Sequence, residues 1–88
     1  MLKLQDLMYF KILAELGSFT ETSNFFNVSQ PTISYAIKRI EEEFNIEIIV
    51  SDHKHHSIDI TEIGQVLIIH IENIENELHE MSSNIDKL

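Results

Sequence analysis

The stretch Ser29-Gln30-Pro31-Thr32-Ile33-Ser34-Tyr35-Ala36-Ile37-Lys38-Arg39-Ile40-Glu41-Glu42-Glu43 constrains this chain more than any other. Ser29 is a natural helix N-cap, and Pro31 falls in the first turn, where a missing N–H costs nothing. Ile33, Ala36, Ile37, Ile40 and Phe44 recur at helical spacing and predict one buried stripe. The opposite face carries Gln30, Thr32, Ser34, Tyr35, Lys38 and Arg39. Hydrogen-bonding side chains at the N-terminal end, with cations further along, suit a helix that enters a DNA major groove.

The flanking segments fit that helix into a larger unit. Leu4, Leu7, Met8, Phe10 and Ala14 predict an amphipathic helix over roughly residues 5–16, stopped by Gly17. Ser18-Phe19-Thr20-Glu21 matches a capping box and opens a short second helix that reaches about Phe26. Asn27-Val28-Ser29 is a tight connection, so the second and third helices read as a helix-turn-helix. Glu47-Ile48-Ile49-Val50 and Ser57-Ile58-Asp59-Ile60 are short and β-branched, separated by the polar run Ser51-Asp52-His53-Lys54-His55-His56. They predict a β-hairpin, which after a helix-turn-helix is a wing. Thr61-Glu62 caps a last helix. Its apolar residues Leu67, Ile71, Ile74, Leu78, Met81, Ile85 and Leu88 alternate spacings of four and three, a heptad seam that needs a partner helix. Ile63 and Val66 are expected to pack back on the preceding domain. The rest of the seam calls for the same helix of a second copy. The fold class is therefore mainly α: a winged helix-turn-helix over residues 1–61, then a linker and dimerisation helix over residues 62–88.

Composition removes several other classes. There is no cysteine, hence no disulfide framework and no thiolate metal site. The longest apolar run, Val66-Leu67-Ile68-Ile69, is far too short to span a bilayer, and no signal peptide precedes the first helix. A soluble cytoplasmic protein that does not engage membranes is expected. The only glycines are Gly17 and Gly64, so no phosphate loop exists, and no residue set suggests an enzyme or a cofactor. The net charge of −9 runs against nucleic-acid binding, which usually leaves a basic footprint. The acids are concentrated, however, in the last helix and in Glu41-Glu42-Glu43, at the far end of the third helix from Gln30.

These motifs resemble the DNA-binding domain of the LysR-type transcriptional regulators over nearly the whole chain. The resemblance is carried by Leu7 with Tyr9-Phe10, Glu15, Gly17-Ser18-Phe19-Thr20, and Val28-Ser29-Gln30-Pro31-Thr32-Ile33-Ser34. Ile37, Ile40-Glu41-Glu42 and Thr61-Glu62 with Gly64 complete it. It implies a winged helix-turn-helix whose linker helices pair antiparallel in a homodimer on an A/T-rich pseudo-palindrome of double-stranded DNA. By position it implies that Gln30, Pro31, Thr32 and Tyr35 face base edges. Thr20, Ser34 and Lys38 would contact the DNA backbone, joined by Arg39 and by Lys54 and His55 of the wing. Leu67, Ile71, Ile74, Leu78, Met81 and Ile85 would form the dimer seam. Family members carry an effector-binding domain after the linker helix. The chain stops at Leu88, so that domain, and any small-molecule inducer acting through it, is expected to be absent, as in a fragment or a short form. The sequence departs from the family at Thr22-Ser23, where Ala-Ala is usual. It departs again at Ile48-Ile49-Val50-Ser51, where Leu-Phe-x-Arg is common, and at Tyr35, where Arg is common. The usually arginine-rich wing tip is here Asp52-His53-Lys54-His55-His56.

Each of these signals has a plainer counterpart. Lys38 and Arg39 could pair with Glu42 and Glu43 at i,i+4, an interaction worth only about 0.2–0.5 kcal/mol. Three histidines on a hairpin tip rarely converge as a tetrahedral metal site, and no metal is assigned. An alternative function is a protein-interaction module, a short form that pairs with a full-length regulator through its acidic helix and binds DNA weakly. The wing histidines also yield a test, because they gain charge below a pKa of about 6.5. DNA affinity should rise as pH falls from about 8 to about 6, and titration by fluorescence anisotropy that is flat or falling over that range contradicts it.

Overall fold

A computed structural model of the chain describes residues 2–52 and 57–88. The elements run α1 (Leu4–Leu16), α2 (Phe19–Phe26), α3 (Gln30–Phe44), β1 (Ile49–Asp52), β2 (Ser57–Ile60) and α4 (Glu62–Asp86). Local chemistry sets each boundary. Gly17 ends α1 at φ 70°, a left-handed conformation that glycine adopts without steric cost, and its N–H bonds the Leu13 carbonyl at 2.8 Å. Ser18 Oγ accepts from the Glu21 amide at 3.1 Å and starts α2. Asn27 and Asn45, at φ 56° and 52°, end α2 and α3 in the same left-handed way. Asparagine tolerates that region better than most residues. Ser29 Oγ accepts from the Thr32 amide at 3.3 Å and opens α3, and Thr61 Oγ1 accepts from the Gly64 amide at 3.1 Å and opens α4.

The core is where α1 crosses α3. Leu7, Phe10 and Leu13 of α1 meet Ile33, Ile37 and Ile40 of α3, and Ile48 and Ile71 close the cluster. Burying side chains of this size contributes about 1.5–3 kcal/mol each, so most of the fold's stability resides here. Thr22 and Ser23, where the family more often has alanine, are buried on α2. Their hydroxyls donate to the carbonyls of Ser18 and Thr20 at 2.7 and 2.9 Å, so no polar group is stranded. Phe44 does not complete the predicted stripe. It is 48% exposed, because α3 outlasts the partners that cover Ile40.

The hairpin pairs Ile49 with Ile60 and Asp52 with Ser57 in antiparallel register. Its first strand starts two residues later than the sequence pattern suggests, since Ile48 leaves the ladder to enter the core. The wing is fastened at its base. Glu41 Oε2 accepts from the Ile48 amide at 2.9 Å, and the Thr61 hydroxyl donates to the Glu47 carbonyl at 2.7 Å. Residues 53–56, which include Lys54 and His55, lie outside the described residues.

Helix α4 sits on the domain through a different face from the one expected. Ile63 and Val66 are exposed, whereas Leu67, Ile68 and the fully buried Ile71 pack inward. The entry geometry explains the shift: the first turn lies so close to the chain before β1 that only glycine fits at position 64. A Cβ there would sit 2.6 Å from the Ile48 carbonyl oxygen and 2.7 Å from Ile60 Cγ2. No helix among the described residues is long and apolar enough to cross a membrane. Gly64→Ala should therefore destabilise the domain by about 1–3 kcal/mol through overpacking, even though alanine is the better helix former. Urea denaturation followed by circular dichroism measures this, and an unchanged or stabilised variant contradicts the packing.

Candidate nucleic-acid interface

Helix α3 buries Ile33, Ala36, Ile37 and Ile40, and so turns positions 30, 31, 34, 35 and 38 outward. Gln30, Pro31, Ser34, Tyr35 and Lys38 are all exposed, Tyr35 to 60%. A shallow depression lined by Phe19, Gln30, Pro31, Ser34 and Tyr35 joins this face to the start of α2. Thr20 belongs to the same surface, because Gln30 Nε2 donates to Thr20 Oγ1 at 3.0 Å. Five predicted contacts on α3 and one on α2 thus form one continuous strip of amide, hydroxyl, phenol and ammonium groups. No predicted i,i+4 ion pair occupies the cation: Lys38 makes no ion pair with a described residue, so its charge is available to an anion.

Two predicted contacts stand apart from the strip. Thr32 is half-buried, and its hydroxyl lies 2.9 Å from Ser29 Oγ, inside the cap of its own helix. Arg39 points to the other side of α3. Its Nε and Nη2 donate to the two carboxylate oxygens of Asp6 at 3.0 and 2.8 Å. The i,i+4 spacing suggested Glu43 as its partner, but burial decides otherwise. Asp6 is 1% exposed and lies where α1 crosses α3, and a buried carboxylate needs a charged donor far more than an exposed one does. The guanidinium is therefore paired within the fold through Nε and Nη2. From sequence, Asp6 reads only as one of the polar residues of an amphipathic helix. Its signal is an acid at a position whose helical neighbours, Leu7 and Phe10, are core.

Burial raises the pKa of Asp6. The hydrogen bonds from Arg39 and from the Lys3 amide, together with the Arg39 charge, outweigh that effect and hold the carboxyl below its ordinary value. A lowered acid pKa stabilises the fold above the unfolded value of about 3.9, and that stability fades as pH falls through the folded value. Removing the guanidinium reverses the balance and leaves burial to dominate. Arg39→Met should cost about 1–3 kcal/mol at neutral pH, because the carboxylate loses its donors while water can still reach the place of the partly exposed guanidinium, and the loss should ease toward pH 5 as Asp6 takes up a proton. Asp6→Asn should cost less at both pH values. Denaturant titrations at pH 7 and 5 provide the check, and a pH-independent cost for Arg39→Met contradicts the argument.

The seam residues of α4 divide at one point. Leu67 is half-buried and Ile71 is wholly enclosed by its own chain, so Ile71 is not available to a partner. Ile74, Leu78, Met81, Ile85 and Leu88 are exposed and form a continuous apolar face. Lys11 of α1 bonds Glu75 of α4 at 2.5 Å, next to the place where the helix leaves the domain.

A three-helix core, a helix-turn-helix with an open third helix and a paired hairpin after it define a winged helix-turn-helix DNA-binding domain. Residues 4–65 match the family of bacterial regulatory helix-turn-helix proteins of the lysR family. The chain belongs to that family. It is 41% identical over 86 residues to the malolactic fermentation system transcriptional activator of Lactococcus lactis subsp. lactis, an alignment that takes in 98% of this chain and 30% of the relative. With the HTH-type transcriptional regulator TdcA of Escherichia coli it shares 30% identity over 83 residues, covering 94% of this chain and 26% of that one. The chain thus spans less than a third of the length of these relatives. The fold is similar to that in the complex of the BenM DNA-binding domain with catB site 1 DNA, with a TM-score of 0.88 at 23% identity, over 98% of this chain and 93% of that one. It is also similar to Vibrio fischeri DarR in complex with DNA, with a TM-score of 0.84 at 26% identity, over 100% of this chain and 30% of that one.

Proposed function

We propose that this domain binds double-stranded DNA sequence-specifically as a homodimer, inserting α3 into the major groove and pairing through α4. The observation that carries the reading is the strip of Thr20, Gln30, Pro31, Ser34, Tyr35 and Lys38. It is exposed on a helix whose opposite face is locked into the core. Gln30 supplies the donor and acceptor pair that an adenine edge complements, and such a contact discriminates by about 1–3 kcal/mol. Lys38 supplies charge to the phosphate backbone, which positions but does not specify. Proposed backbone contacts come from Thr20, Ser34 and Lys38, and from Lys54 and His55 of the wing sequence. An A/T-rich pseudo-palindrome is the proposed target, and regulation by a small-molecule inducer is proposed only for a longer chain that carries an effector domain.

Residues 1–61 act in this reading as the binding unit and residues 62–88 as the dimerisation helix. The bare face of Ile74, Leu78, Met81 and Ile85 supports a second copy as partner. Glu72, Glu75, Glu77 and Glu80 favour antiparallel over parallel pairing, which would bring like charges together. The alternative of a module working mainly through protein contacts gains no support from the open polar strip of α3. Gln30→Ala should relax preference at one base pair per half-site by about 1–3 kcal/mol. Lys38→Ala should weaken all duplexes alike and flatten the salt dependence. Mobility shifts with selected and scrambled duplexes separate the two effects, and equal weakening of both duplexes by both variants contradicts direct readout. Leu78→Asp should turn a dimer into a monomer by analytical ultracentrifugation, and an unchanged sedimentation coefficient contradicts pairing through α4.

A further inference from the structure

The sequence assigns Gln30 to a base edge and Thr20 to the DNA backbone as two independent contacts, but the structure joins them. Gln30 Nε2 donates to Thr20 Oγ1 at 3.0 Å, from the first turn of α3 to the first turn of α2. Both side chains are exposed, so burial does not force the bond. Each end rests on a fixed backbone. Ser18 caps the turn that carries Thr20, and Ser29 with Pro31 sets the turn that carries Gln30.

The bond changes what Gln30 can read. A carboxamide has two N–H donors and one carbonyl acceptor. With one N–H given to Thr20, one donor and one acceptor remain. In the major groove adenine presents one acceptor, N7, and one donor, the N6 amino group, whereas guanine presents two acceptors, N7 and O6. The remaining pair complements adenine and fails guanine. We propose that Thr20 is a positioning residue that sets Gln30 to read adenine and reject guanine, an inference that rests on the major-groove reading above. Its two tasks are compatible. Having accepted from Gln30, the Thr20 hydroxyl keeps its own proton to donate to a phosphate oxygen. Phosphate, Thr20 and Gln30 then form one chain of hydrogen bonds that fixes the amide relative to the DNA backbone.

The experiment uses the 88-residue chain and duplexes selected from a randomised pool. Each base pair of a selected duplex is varied in turn, and affinities are read by fluorescence anisotropy. The position of interest is the one at which Gln30→Ala flattens the preference. There the wild-type chain should favour adenine over guanine by about tenfold or more. Thr20→Val, nearly the same shape without the hydroxyl, should bring that ratio to within about twofold, and Thr20→Ser should restore it. A Thr20→Val chain that weakens both duplexes equally and keeps the ratio overturns the inference and leaves Thr20 a phosphate contact alone. So does a wild-type preference for guanine, which would mean that Thr20 donates to the amide oxygen. If Gln30→Ala changes preference nowhere, the groove reading fails and the inference with it. A measurement without DNA covers the case in which Thr20→Val binds too weakly to assay. Nitrogen-15 relaxation of the Gln30 side-chain amide should show restricted motion in the wild-type chain and free motion in Thr20→Val, and equal mobility in both overturns the inference.

Discussion

Helix α3 has to be gripped along one face while the opposite face stays bare, and the rest of the domain is arranged around that requirement. Ile33, Ala36, Ile37 and Ile40 supply the grip against α1. Apolar packing is non-directional, so by itself it does little to fix how far the helix turns or slides. The bidentate bond from Arg39 to Asp6 adds the direction, since a planar guanidinium meets a carboxylate in a defined geometry. At the helix ends, the Ser29 cap and the left-handed Asn45 define where it starts and stops. Glu41, on the last turns, holds the amide of Ile48 and so references the wing to the same helix. An outward strip held in this way reaches a partner already ordered, and little conformational entropy is lost on binding.

Helix α4 answers to two demands in turn. Its first half belongs to the domain, through Leu67, Ile68 and Ile71, the tight approach at Gly64 and the bond from Lys11 to Glu75. Its remainder leaves the domain with an uncovered apolar face, giving a molecule 53 Å long and 27 Å across. A helix of 25 residues is about 37 Å long, of the same order as the roughly 34–36 Å between successive major grooves on one face of B-DNA. In the proposed dimer this helix is the ruler that sets the spacing of two α3 helices. Its acidity, the chief source of the negative net charge, is then carried away from the binding strip.

Much of this was legible in the residues. Caps and stops at Ser18, Gly17, Ser29 and Thr61 obey local rules, and all four stand where those rules place them. The core stripe of α3 follows from periodicity, as does the exposure of Gln30, Ser34, Tyr35 and Lys38. What escaped was decided by distant contacts. Asp6 and Arg39 are 33 residues apart, and no spacing rule links them, so Arg39 reads as a DNA-backbone contact or a partner of Glu43 until the crossing of α1 over α3 is known. The heptad seam reads as one surface, yet the close entry at Gly64 rolls α4 so that Ile71 goes inside while Ile63 and Val66 stay out. Phe44 fits the apolar repeat but lies past the last residue that could cover it. The bond between Gln30 and Thr20 depends on the angle of the turn through Asn27, which the sequence marks without specifying.

The central claim is that α3 enters the major groove from each half of a dimer held by α4. Hydroxyl-radical footprinting of the chain on a selected duplex tests it directly, because it maps the protected backbone nucleotide by nucleotide. The account predicts two protected windows on one face of the duplex, centred about 10–10.5 base pairs apart or a multiple of that distance, both lost together in a chain that cannot pair through α4. A single protected window, or two windows on opposite faces, would contradict it.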